Sequence, residues 1–412
     1  MASRHTWRPD LTRSQKETQT VNLLLVSVDS LRWDAVGRTH PQLLTTPNFD
    51  RMTVDFVFTD RCLSVSTATR PVHQSVFSGL YPFEHGITGQ HRRQRRRGIP
   101  RLMDELAQAG YRVGAFSEAA SILGGVDIGT TVSDVSANAP DGLAVLRTWL
   151  HPRDDHQALF VHYWSTHAPY GAADARALGE TAEWVRGGHI DLVKERYRQA
   201  VEDCFEFKIA PLLEHLDMSR WTIVLFGDHG ERWTDEELYH GQTLHHDVLR
   251  VPLFLHVPYQ RARPGEICSL IDLAPTLRDT LQLPLFETFG RNILGAESET
   301  SPYLAQIEPT PHGLPDDEIL SPATAAGQSS TETLWSVFDA AQKATIREPG
   351  GVWQWTTPFD PTAVPLESSP RFDATAVRRQ LVDGSKYCRS GLEDGIDADV
   401  LGARLRDLGY LS

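Results

Sequence analysis

The chain has 412 residues, 40% of them hydrophobic, a net charge of −14 and four cysteines. That length exceeds one small core and points to a large α/β unit with a smaller companion. The acidic balance argues against a general nucleic-acid binder. The cysteines, Cys62, Cys204, Cys268 and Cys388, form no C-x-x-C pair, which argues against a zinc knuckle or a disulfide framework and for free thiols.

The first twenty residues are polar and lack an apolar stretch of the signal-peptide type. No apolar run approaches the roughly 18 residues of a membrane span. Cytoplasmic residence is therefore expected. "VNLLLVSVDS" (Val21–Ser30) is an apolar run closed by Asp-Ser, which predicts a buried parallel strand with polar residues at its carboxyl end. Arg112–Glu118, Ala158–Ser165, Trp221–Asp228 and Val251–Pro258 read the same way. Between them, Pro100–Gly110 carries helix start and stop signals in order. A longer helix is predicted over Asp191–Leu216, where Val201, Cys204, Phe205, Ile209, Leu212, Leu213 and Leu216 make an apolar stripe. Another helix is predicted over Asp272–Leu283. Alternating strands and helices predict a large central, mostly parallel sheet covered by helices on both faces.

Beyond Leu283 the chain turns irregular, then offers short extended segments ("TLWSVFDA", "KATIRE", "VWQWTT") and a charged helix near Asp397–Leu408. The expected organisation is a polar segment over 1–20, a catalytic domain over 21–290 and a smaller α+β subdomain over 300–412. There are no internal repeats. The basic run His91–Arg97 reads as a solvated loop, with a polyanion dock as the sharper alternative.

In a parallel sheet, residues just past the carboxyl ends of strands meet in one crevice. Asp29 and Asp228 both occupy such positions, and His229 follows at once. Two carboxylates and an imidazole make a divalent-metal set; the alternative is that each acid caps a helix.

Seven segments, in order, carry a resemblance: "VNLLLVSVDSLRWD", "TTPNFDRM", "VFSGLYPFEHGITG", "THAPY", "FGDHGE", "HGQTLHHDVLRVPLFLHVP" and "SLIDLAPTLRDTL". Over about residues 20–285 the chain resembles the sulfatase family of the alkaline phosphatase superfamily. The closing "LRDLGYL" is also similar to the tail of many members. The resemblance implies a mixed central sheet between helices, a smaller C-terminal sheet, and hydrolysis or transfer of sulfate or phosphate esters at a divalent metal. Its metal positions fall on Asp29, Thr69, Asp228 and His229, and its substrate-contacting positions on His73, His167 and His240. His245 and His246 are read as structural. Where family members place a second acid, this chain has Ser30; where they place Asp-Asn, it has Asp228-His229. Imidazole favours manganese or zinc, with calcium or magnesium as alternatives, and one metal ion is expected.

The nucleophile lies in "STATRPVHQSVFSG" (Ser66–Gly79). The family's nucleophile precedes a Thr-Gly glycine by ten positions. Gly79 lies ten positions after Thr69 and thirteen after Ser66, and Pro71 takes the family's proline place in the Thr69 register. Thr69 is the expected nucleophile, near the start of a helix that begins about Pro71. Threonine cannot become formylglycine, so a phosphate ester is favoured over a sulfate ester. The alternatives are a formylglycine sulfatase using Ser66, a Thr69 that only caps its helix, and a binding protein that has kept the fold without the chemistry. The expected partner is a small anionic ester, with no nucleic acid.

Overall fold

The computed structural model describes residues 21–393 apart from 91–93, 136–141, 152–155, 172–174, 235–237, 259–264, 296–300, 310–331 and 360–369. The expected C-terminal helix at Asp397–Leu408 and the N-terminal segment lie outside the described residues.

A central sheet of eight strands organises the chain. In chain order these are β1 (Asn22–Val28), β2 (Val57–Leu63), β3 (Arg112–Ser117), β4 (Ser133–Asp134), β5 (Gln157–Tyr163), β6 (Trp221–Gly227), β7 (Arg250–His256) and β8 (Cys268–Ser269). Their spatial order is β8-β2-β7-β6-β1-β5-β3-β4. β1 pairs in parallel with both β5 and β6, and β3 with β5. β7 runs antiparallel to β6 and β2, so the sheet is mixed. β1, β5 and β6 are buried along their whole length, as their unbroken apolar runs require.

Two apolar layers flank the sheet. One includes Leu23, Leu25, Val72, Phe77 and Phe160; the other includes Leu24, Val26, Val201, Phe205 and Leu213. Alternate residues of β1 thus feed opposite faces, as a strand's twofold period dictates. The helix expected over Asp191–Leu216 is α-helical over Ile190–Cys204, opens into a π turn at Phe205–Ile209 and closes over Ala210–Leu213. The wide turn directly precedes Pro211, which has no N–H to give to the preceding turn.

A second sheet is antiparallel, with strands β9 (Tyr303–Ile307), β10 (Thr333–Phe338), β11 (Lys343–Glu348) and β12 (Gln354–Thr356). It is bonded to the first unit. Gln306 N donates to Val65 O at 2.9 Å, Glu308 N to Thr88 O at 2.7 Å, and the Tyr303 hydroxyl to Asp272 Oδ2 at 2.7 Å. The described part of the basic run is not a free loop. Arg95 pairs with Asp127 at 2.8 Å, and Arg96 donates to Ser390 O at 3.0 Å beside a short ladder to Leu392–Glu393. All four cysteines are free thiols. Among the described residues no helix is long and apolar enough to cross a membrane.

Candidate active site

The register of β1 and β6 sets Val28 opposite Gly227. The next residues, Asp29 and Asp228, therefore leave neighbouring parallel strands side by side, and both are fully buried. Ser30 then turns the chain with φ of 56°, a left-handed conformation uncommon outside glycine. The turn aims Ser30 N at Asp228 Oδ1 (3.0 Å) and Ser30 Oγ at Asp29 Oδ1 (2.9 Å). After β6 the chain needs Gly230: a Cβ there would lie 2.0 Å from Asp247 O. No other residue lets His229 follow the strand this closely.

Thr69 arrives from a third direction. Its helix, α1, spans Thr69–Ser78, two residues earlier than the expected start near Pro71. Ala68 is extended and occupies the N-cap position, where no side chain caps the helix. The Thr69 side chain turns instead to the strand ends. Its Oγ1 lies 3.3 Å from Asp29 Oδ2 and 3.4 Å from His229 Nε2. Gly79 ends the helix at φ of 70°, against Phe286 and Ala274. Ser66 Oγ, three residues before Thr69, is buried with no hydrogen-bond partner.

The ligating atoms of Asp29, Asp228 and His229 all lie within 4.8 Å of one another. His229 Nδ1–H donates to Gly230 O at 3.0 Å, which leaves Nε2 as a lone pair facing Asp228 Oδ2 at 3.5 Å and Asp29 Oδ1 at 3.9 Å. Asp228 Oδ2 is buried without a hydrogen-bond partner. Burial and then the Asp29 charge push the Asp228 carboxyl well above the usual carboxylate range. Burial works in the same direction on Asp29, but the His162 hydrogen bond and the charges of His167 and His229 outweigh it and hold Asp29 well below that range. Burial lowers His229. An orphaned carboxylate oxygen, a second carboxylate and a lone pair converging on one point fit a divalent cation.

The other expected residues divide into two levels. His167 and His240 stand on the open side. Their rings are 5.0 Å apart, and His240 lies 4.2 Å from the His229 ring. His167 stacks on Trp164 at 4.8 Å. His73 lies deeper and is fully buried: Nδ1–H donates to Thr69 O at 2.7 Å, and Nε2 meets Ser27 Oγ at 2.9 Å. Burial, then the His162 charge, lowers His73 to about 3. His245 and His246 lie together at the N-terminal end of a short helix, with Asp247 between Arg32 and Arg232.

Two residues that the sequence does not single out, His162 and Glu231, belong to this neighbourhood. His162 Nε2 lies 3.3 Å from Asp29 Oδ2, and its Nδ1 lies 2.8 Å from Ser117 Oγ. Glu231 is fully buried, with Oε1 2.9 Å from His240 Nδ1 and Oε2 accepting from the Tyr170 hydroxyl at 3.2 Å. The signal for His162 was present: a lone imidazole inside "ALFVHYWS". Glu231 ends the quoted "FGDHGE".

The family model for sulfatases matches residues 21–283. The chain belongs to the sulfatase family. It is thereby an ester hydrolase of the alkaline phosphatase superfamily, and the central sheet is that superfamily's. Solved structures agree in fold at low identity. A 2-O GAG sulfatase superposes with a TM-score of 0.67 at 14% identity, over 93% of this chain and 96% of its own. The phosphonate monoester hydrolase of Agrobacterium radiobacter gives 0.60 at 15%, over 94% of each. The C-terminal periplasmic domain of EcEptC from Escherichia coli, solved in complex with zinc, gives 0.53 at 13%, over 70% of this chain and 90% of its own. No curated protein sequence matches. The family model's match stops at residue 283, and the chain continues into the second sheet.

Proposed function

We propose that this protein hydrolyses, or transfers, a phosphoric ester through a covalent intermediate on Thr69. The observation that carries the reading is the approach of Thr69 Oγ1 to Asp29 and His229, while Ser66 Oγ is buried without a partner. Asp29, Thr69, Asp228 and His229 would hold one divalent cation, manganese or zinc ahead of calcium or magnesium, because His229 supplies nitrogen. Such a cation, when bound, lowers the hydroxyl's pKa and offsets the charge of an anionic ester.

The remaining work falls to the chain's own groups. Thr69 Oγ1 attacks phosphorus; a threonine O–P bond forms and the bond to the leaving oxygen breaks. Asp29 Oδ2, at 3.3 Å, is placed to accept the hydroxyl proton. His167 and His240 face the open side and serve the ester oxygens or protonate the leaving group. Glu231 occupies the Nδ1 side of His240, so that duty falls to Nε2. His73 holds the Thr69 carbonyl and thereby the turn that presents the nucleophile. Water, or an acceptor alcohol, then releases the phosphoryl group.

Thr69, Ser30 and the Asp228-His229 pair all depart from the sulfatase pattern in the phosphatase direction. The test is a panel of p-nitrophenyl phosphate, the bis-ester and the aryl sulfate, each with calcium, manganese and zinc. Phosphorus substrates should lead. A clear preference for the sulfate, or a formylglycine at Ser66, would overturn the reading. A trapped phosphate mapped to Thr69 supports it.

A further inference from the structure

We propose that Ser117 and His162 are positioning residues that fix the Asp29 carboxylate for the divalent cation. The inference rests on the reading that Asp29 is one of the cation's ligands.

The register carries the argument first. His162 pairs with Ser27 on one side and Ser117 on the other. Three polar residues thus lie in one row across the three strands β1, β5 and β3, and all are fully buried. The residues before them on β1 and β5, Val26 and Val161, are buried and apolar. A core needs no imidazole there. A buried polar pair does no better than neutral against apolar residues that fill the same space.

The hydrogen bonds then give the row a direction. Ser117 Oγ accepts from Ala119 N–H at 3.0 Å, so its own hydrogen is available to His162 Nδ1 at 2.8 Å. Nδ1 is then an acceptor, and the ring proton sits on Nε2. That proton points along the 3.3 Å contact to Asp29 Oδ2. The same Oδ2 receives Thr69 Oγ1 at 3.3 Å, and Oδ1 receives Ser30 Oγ at 2.9 Å. Both carboxylate oxygens are therefore held from the protein side. His162 is the only one of these three donors that comes from the sheet interior. It sets the carboxylate's rotation where Ser30, in a turn, and Thr69, at the first position of α1, cannot. A partner of this kind governs how well a ligand carboxylate meets its metal.

The experiment uses the full-length enzyme with His162→Leu, His162→Gln and Ser117→Ala. The probe is manganese(II) alone, with affinity measured by chelator competition and the site read by the ion's electron paramagnetic resonance spectrum. His162→Leu should weaken manganese about 10–100-fold and broaden the spectrum. Ser117→Ala should weaken it less, and His162→Gln, which keeps an N–H donor, should recover most of the loss. Circular dichroism establishes folding; Ser117→Ala, the smallest change, keeps the proposal falsifiable if His162→Leu fails to fold. Affinities and spectra equal to wild type in all folded variants would overturn it and leave a core hydrogen bond. A histidine nitrogen coupling lost with His162→Leu would also overturn it, by making His162 a ligand. Asp228→Asn and His229→Ala serve as controls. If they too retain manganese, the metal site itself is misassigned, a separate failure.

Discussion

Asp29 and Asp228 are chemically identical, equally buried and one strand apart, yet their surroundings differ completely. Asp29 is wired: Ser30 Oγ, Thr69 Oγ1 and His162 Nε2 reach its two oxygens. Asp228 is wired on one side only. Its Oδ1 takes the Ser30 and His229 backbone N–H groups at 3.0 and 2.8 Å, while Oδ2 is left without a hydrogen bond. Their carboxyls accordingly move in opposite directions, Asp29 down and Asp228 up. The pair shows how a fold can hold one carboxylate through both oxygens and leave an oxygen of its neighbour without a hydrogen bond.

The largest test acts on the atom between them. Thr69→Ala should lower kcat by several orders of magnitude with the fold intact, because it removes the group that forms the covalent bond. Thr69→Ser should keep a substantial part of the rate, since only a methyl is lost. Steady-state kinetics beside thermal melts checks both. Near wild-type kcat in Thr69→Ala would reduce Thr69 to a helix-end residue.

Next in size is Asp228→Asn. It keeps the Oδ1 acceptor but removes the charge at the open oxygen. Bound metal after dialysis should fall to a small fraction of wild type, and kcat/KM with it, by about 10³-fold, a Lewis-acid contribution of several kcal/mol. Metal analysis by mass spectrometry decides this, and a variant with full metal content would end the contrast between the two carboxylates.

Ser66→Ala should leave kcat within about tenfold of wild type, because its buried hydroxyl has no hydrogen bond to lose. A loss matching that of Thr69→Ala would return the nucleophile to the other register.

Another buried carboxylate, Asp272, supplies a control outside the site, read in stability rather than in rate. Burial raises it to about 6 although Ser269 N, the Tyr303 hydroxyl and Arg291 N all donate to it. An acid with a raised folded pKa binds its proton more tightly in the native state. Its contribution to stability is therefore full at low pH and declines as pH rises from about 4 through about 6. The decline amounts to at most about 3 kcal/mol for a shift of this size. Denaturant melts of wild type and Asp272→Asn across pH 4–8 should differ in slope over that window. Parallel curves would show that Asp272 titrates as it does in the unfolded chain.

Much of this was legible in the sequence because strand ends are written locally. An apolar run closed by Asp-Ser or Asp-His declares both the strand and the crevice, and the spacing to Gly79 points to Thr69, whose hydroxyl lies beside Asp29 and His229. The row Ser27–His162–Ser117 was not legible, since its members share nothing but strand register. Strand order is decided by tertiary pairing, and no local pattern in "LLVSVDS" names "FVHYW" as its neighbour. Glu231 escaped for a related reason: no local pattern pairs it with His240, nine residues further on. The helix start moved from Pro71 to Thr69 because Pro71 is tolerated at several places in a first turn.

The bonds between the second sheet and the segment before Thr69 have a consequence for how this protein can be divided. Val65 and Thr88 carbonyls, on either side of α1, are satisfied by backbone N–H groups of Gln306 and Glu308. The family model's match ends at residue 283, before those residues begin. A chain shortened to that match would contain every candidate site residue named above and yet leave two carbonyls beside α1 without their partners. The stretch that carries the family's likeness is thus shorter than the hydrogen-bonded unit around α1.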